Sequence, residues 1–183
     1  MADTPNMRER ILGAAEKRVR AVGFNAVSFR DLAGDVGVKS SSIHHHFPQK
    51  ENLGEQLVAR YTENFQTRLD RISEEDPDPL NALEAFIALY GEALVVGKSV
   101  CLCAILGAEA NGLPDRVNAG VQAFFAANKD WLSNVLGQLP SQKLPITAAE
   151  IIVGLEGAMI YSSVMKDREA FDVTARRLLA NFK

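Results

Sequence analysis

The chain has 183 residues, 47% of them hydrophobic, a mean hydropathy of −0.04 and a formal net charge of −3. That profile fits an ordinary globular protein, larger than one average domain and short for two independent ones. Its longest apolar runs are broken by Gly, Glu or Lys short of the ~18 residues a membrane span needs. No secretory leader is expected from the charged first twenty residues, and two cysteines, Cys101 and Cys103, are too few for a disulfide framework. The cytoplasm is the expected compartment, with no membrane partner.

Charge is unevenly spread. Residues 1–50 hold eight Lys/Arg against five Asp/Glu, together with all three histidines, whereas residues 51–183 hold twelve against eighteen. A cationic head on an anionic body suits a segment that meets nucleic acid and a remainder that repels it.

Apolar residues recur at helical spacing almost throughout, and no stretch alternates with period two, so an all-α fold of about nine helices is predicted. The first helix is expected from about Thr4 to Val22, with Met7, Ile11, Ala15 and Val19 on one face and Gly23 as its stop. Ser28 reads as the N-cap of a short helix over Phe29–Val36, broken at Gly37. A third helix follows from about Ser40 to His46, and Pro48 suits the first turn of a fourth that runs to about Ser73. The stretch Glu74-Glu75-Asp76-Pro77-Asp78-Pro79 reads as a link. Further helices are expected at about 80–96, 99–111, 114–138, 147–166 and 168–182, separated at Gly97-Lys98, Gly112-Leu113-Pro114 and the Pro140–Pro145 loop. Thr147 with Glu150 has capping-box spacing.

Residues 28–53, SFRDLAGDVGVKSSSIHHHFPQKENL, carry the most specific signal. Leu32, Ala33 and Val36 can pack inward from one short helix, and Val38, Ile43 and Phe47 from the turn and the next. Ala33 allows close approach and Gly37 the tight turn. This is the helix-turn-helix scheme, whose second helix enters the major groove. Its outward residues, Lys39, Ser40, Ser41, Ser42, His44 and His45, are hydrogen-bonding and cationic groups suited to base edges and phosphates. Ser28, Arg30 and Lys50 complete the expected DNA-binding set. Successive helical residues diverge by about 100°, so His44, His45 and His46 point three ways and no metal site is expected. No nucleophile elbow, phosphate loop, metal-ligand set or acid–base pair is present. Neither a cofactor nor an enzyme is expected.

The same segment resembles the DNA-binding region of the TetR/AcrR family of transcriptional regulators. Gly37-Val38, then His44-His45-His46-Phe47, then Lys50-Glu51 match its pattern, and the resemblance covers residues 7–60. Two positions depart: His44 stands where the family usually has Tyr, and Lys39 where Ser or Ala commonly caps the helix. The resemblance implies a DNA-binding domain over residues 1–50 and a ligand-binding and dimerisation domain over 51–183. It further implies a homodimeric repressor on a palindromic operator, released by a small-molecule effector.

Expected ligand-binding residues are Tyr61, Phe65, Phe86, Tyr90, Cys101, Cys103, Glu109, Phe124 and Trp131. The aromatics fit a plain core as well as a pocket. Cys101 and Cys103 fit packed core as well as a thiol that senses oxidants or electrophiles. The last two helices are expected to form the dimer interface through Ile151, Leu155, Ala158, Met159, Phe171, Leu178 and Leu179, and the resemblance implies that the pair meets its symmetry mate as a four-helix bundle.

Overall fold

The computed structural model describes residues 6–95, 99–139 and 146–182. Among the described residues there are nine α-helices, one 3₁₀ turn and no strand. The helices are α1 (Met7–Val22), α2 (Phe29–Val36), α3 (Ser40–His46), α4 (Lys50–Glu75), α5 (Pro79–Val95), α6 (Leu102–Ala108), α7 (Asp115–Leu136), α8 (Ala148–Met165) and α9 (Glu169–Ala180). The predicted order holds, with most ends within two residues of expectation. Three expected features lie outside the described residues: the start of the first helix at Thr4, the Gly97-Lys98 break and the Pro140–Pro145 loop.

The largest difference is at α6. Thirteen residues were expected to be helical, but the α-helix stops at Ala108 and a 3₁₀ turn covers Ala110–Gly112. There the Glu109 N–H reaches back to the Leu106 carbonyl and the Gly112 N–H to Glu109, three-residue steps that tighten the chain.

Local chemistry explains the boundaries. Asn6 caps α1 by accepting from the Glu9 N–H at 3.0 Å. Ser28 with Asp31, and Thr147 with Glu150, form full capping boxes at the starts of α2 and α8. Gly37 closes α2 in the left-handed conformation at φ 72°, where a glycine carries no Cβ penalty.

The helices form two compact units. The first comprises Met1–Thr62 and Leu102–Phe124, the second Glu63–Cys101 and Phe125–Lys183. In the first unit, α1 packs on α2 and α6, and α2 on α3. Ile11, Leu12, Leu32, Ile43, Phe47 and Leu57 are buried there. Close approach is literal at Gly54, where a Cβ would come within 2.8 Å of Phe24 and Val117.

In the second unit, α8 packs on α9 and α5. Its aromatic rings associate directly: Phe86 stacks on Trp131 with centroids 5.6 Å apart, and Phe65 meets Phe86 and Tyr90 edge-on. The Trp131 indole N–H donates to Ser73 Oγ at 3.1 Å. Helix α8 is long and apolar enough to cross a membrane by length and composition alone. One face carries Ile151, Leu155 and Met159 into the unit, and the other exposes Val153, Ile160, Tyr161, Val164 and Met165.

Candidate nucleic-acid interface

The head is built so that one short helix shows its polar side. Ile43 and Phe47, four residues apart, are both wholly buried and pin α3 to the unit. The opposite side of α3 exposes Lys39, Ser41, His44 and His45, with Ser40 and Ser42 half-buried at its edges. Lys39 occupies the N-cap position and supplies no capping hydrogen bond from its side chain. His44 lies edge-on against Phe29 of α2, centroids 4.8 Å apart, so its imidazole has a fixed seat at the surface. A shallow cleft lined by Met7, Val38, Ser41, Ser42, His45 and His46 runs beside this face.

Several head cations are committed to the head itself. Arg10 donates to the Val36 carbonyl at 2.8 Å, Arg18 pairs with Asp35, and Arg60 reaches Glu16 at 2.8 Å and Glu9 at 3.4 Å. Hydrogen bonds from Ser28 hold the Asp31 carboxyl below the ordinary carboxylate range, and Arg18 does the same for Asp35. Exposed cations without an ion pair among the described residues include Lys17, Arg30 and Lys39. These can neutralise phosphates at little desolvation cost.

Two expected DNA-binding residues have other partners. The Ser28 hydroxyl is occupied by its capping box with Asp31, donating at 2.6 Å and accepting at 3.2 Å. Lys50 donates to the Asn25 carbonyl at 3.1 Å, and its ammonium lies 4.8 Å from the Phe24 ring centre. Burial lowers the Lys50 pKa, and nearby Glu109 opposes that shift. The sequence pattern could not show this, because the partners stand 25 and 59 positions away.

Glu109, expected to orient a ligand, is also engaged. Its Oε2 accepts from the Asn25 backbone N–H at 3.0 Å and from Asn25 Nδ2 at 2.8 Å. It sits against Gly23, whose φ of 84° and ψ of 161° belong to glycine; a Cβ there would lie 1.9 Å from Oε1. The end of α6 is thereby tied to the loop between α1 and α2. Sequence reading missed this tie, and no local signal announces it.

The other expected ligand-binding residues divide between the units. Tyr61 and Phe124 pair in the first, centroids 5.5 Å apart, whereas Phe65, Phe86, Tyr90 and Trp131 cluster in the second. Cys101 and Cys103 are both buried, and neither forms a disulfide among the described residues. The expected dimer-face residues Ile151, Leu155, Ala158, Met159, Phe171 and Leu178 are covered by their own unit, and Leu179 is half-buried. Apolar residues lie on both sides of α8, so its sequence gives little phase; the stripe it exposes is Val153, Ile160, Tyr161 and Val164.

Comparison with known proteins gives the same outline. Residues 11–57 match the family described as bacterial regulatory proteins, tetR family. The nucleoid occlusion factor SlmA of Vibrio cholerae is 34% identical over 85 residues, 46% of this chain and 43% of that protein. Its counterpart in Photobacterium profundum is 31% identical over 85 residues, with the same coverage. The chain thus matches less than half the length of these curated relatives. A TetR-family transcriptional regulator from Agrobacterium tumefaciens superposes with a TM-score of 0.90 at 29% identity, covering 96% of this chain and 97% of that one. A TetR transcriptional regulator from Legionella pneumophila does so at 0.91 and 25%, covering 99% and 100%.

Proposed function

We propose that this chain, which belongs to the TetR/AcrR family of transcriptional regulators, is a cytoplasmic, non-enzymatic repressor that binds a palindromic operator as a homodimer and is released by a small-molecule effector. The observation that carries the reading is the two-sided α3: Ile43 and Phe47 are wholly buried while Lys39, Ser41, His44 and His45 are presented together. Arg30, Ser40 and Ser42 flank that face. Short hydroxyls and imidazoles read base edges, and Lys39 and Arg30 meet phosphates.

Two heads are needed for two half-sites about one helical turn, or a multiple, apart. The exposed stripe of α8, from Val153 through Gly157 to Ile160 and Val164, is the dimer face in this reading. Glycine at its middle lets two copies approach closely, and self-complementary apolar surface suits a two-fold axis. The effector acts in the second unit, through higher affinity for a dimer whose head spacing does not fit the operator.

Selection of bound sequences from random duplex DNA, repeated across salt concentrations, tests this. An enriched palindrome with steep salt dependence is expected, and Lys39→Ala should reduce the salt slope by about one. No enrichment from folded, dimeric protein would overturn the DNA-binding role.

A further inference from the structure

Helix α8 turns Ile151, Ile152, Leu155, Ala158 and Met159 into the second unit, and among them stands one carboxylate, Glu156. Both of its oxygens are shut off from solvent, and neither has a regular hydrogen-bond partner among the described residues. Ser162, the other buried polar residue of this helix, is served: its Oγ accepts from the Phe171 N–H at 3.1 Å. Burial pushes the Glu156 carboxyl up to about 7, and the Cys101 thiol, itself buried, offers only a weak hydrogen bond in opposition. A buried carboxylate without donors is among the costliest groups a fold can hold, and a methionine or glutamine of similar volume would avoid the charge.

A second buried polar atom in the same unit is in the same condition. Asn128 of α7 accepts from Gln66 Nε2 at 3.0 Å through Oδ1, while its Nδ2 has no partner. The same unit holds a cluster of rings, Phe65 against Phe86 and Phe86 stacked on Trp131.

We propose that Glu156 is the anionic anchor for an effector that carries a cationic nitrogen on an apolar body, an amine or amidine. The proposal rests on the reading of the second unit as the effector domain. A carboxylate already out of water adds no desolvation of its own when a cation arrives, and the attraction between them is stronger there than at a surface, against which stands the cation's own loss of water. A neutral ligand leaves the charge as it was, and an anion is repelled by it. Two acceptor oxygens match the two or three N–H donors of such a group.

The test uses the full chain and a panel of alkyl, benzyl and biarylmethyl amines, all protonated at neutral pH, each paired with the alcohol of the same shape. Binding is followed by calorimetry and by the fluorescence of Trp131, the one tryptophan. The best amine should bind the parent at least about tenfold more tightly than its alcohol, about 1.4 kcal/mol. Glu156→Gln should remove that preference while leaving the alcohol's affinity unchanged, and its melting curve reports that it folds. Equal binding of amine and alcohol, a preference that survives in Glu156→Gln, or no binding by any amine overturns the proposal. Operator release is assayed separately. Amines that bind through Glu156 without releasing DNA would sink the effector reading and leave the site. Release by compounds indifferent to Glu156→Gln would do the reverse.

Discussion

The first unit adds to its apolar core directional polar ties over long sequence distances: Asn25 to Glu109, Lys50 to Asn25, Arg10 to the Val36 carbonyl, and Arg60 to Glu9 and Glu16. Its buried unbonded polar atom is Nε of Arg60, on a guanidinium whose other nitrogens are paired. The second unit relies on rings and aliphatic packing, Phe86 on Trp131 and α8 on α5 and α9, and leaves Glu156 and Asn128 incompletely bonded inside it. Hydrogen bonds and ion pairs specify angle and distance, so a head held by them keeps the single shape that groove reading demands. Apolar packing is permissive, and an interior with unused polar groups has something to offer a visitor.

Phe47 separates the two units most directly. Its ring is wholly buried and carries α3, so Phe47→Ala should cost about 3–5 kcal/mol. Operator binding should vanish while the near-ultraviolet signal of Trp131, in the second unit, persists. If that signal melts in step with the head, the two units are one cooperative structure and the contrast between them fails.

A smaller effect separates the units by pH. Glu156 ionises at about 4.5 in the unfolded chain and about 7 in the folded one. Stability it confers is complete below the first value and is lost as pH rises through the second, a decline on the order of 3 kcal/mol. Asp31 and Asp35 run the other way: their lowered folded values give stability present above the unfolded value of 3.8 and lost as pH falls through the folded value. Urea midpoints measured from pH 5 to 8 should fall for the parent and stay nearly level for Glu156→Gln. Parallel curves would mean that no buried ion distinguishes the second unit.

The finest probe is Gly23→Ala, which should cost about 1–3 kcal/mol from backbone strain, with an added clash against Glu109. In a Glu109→Ala background the clash disappears and the strain remains, so a double-mutant cycle should show coupling. Additive effects would mean that the Asn25–Glu109 tie does not shape the head.

The head was legible nearly residue by residue because its signals are local. Ser28 with Asp31, Gly37 after Val36, and Ile43 four residues before Phe47 are chemistry within one or two turns. The ties of Lys50 and Glu109 were not legible for the complementary reason: nothing in either local segment points to Asn25, and only the folded chain brings both to it. In the second unit the helices were legible but their orientation was not. Val153 and Leu155 of α8 are equally apolar, yet one is 71% exposed and the other wholly buried. Glu156, inside that run, gave no sign of which side it faced.

Because Leu102–Phe124 belongs to the first unit, the head is finished late during synthesis. A ribosome delivers the reading helix well before Glu109, which holds Asn25, and before Val117, which closes over Gly54. A fragment ending at Thr62 would inherit α3 and its polar face without Glu109 and Val117. Grafting this head onto another protein therefore calls for two segments to be carried across, the second separated from the first by about forty residues of the other unit.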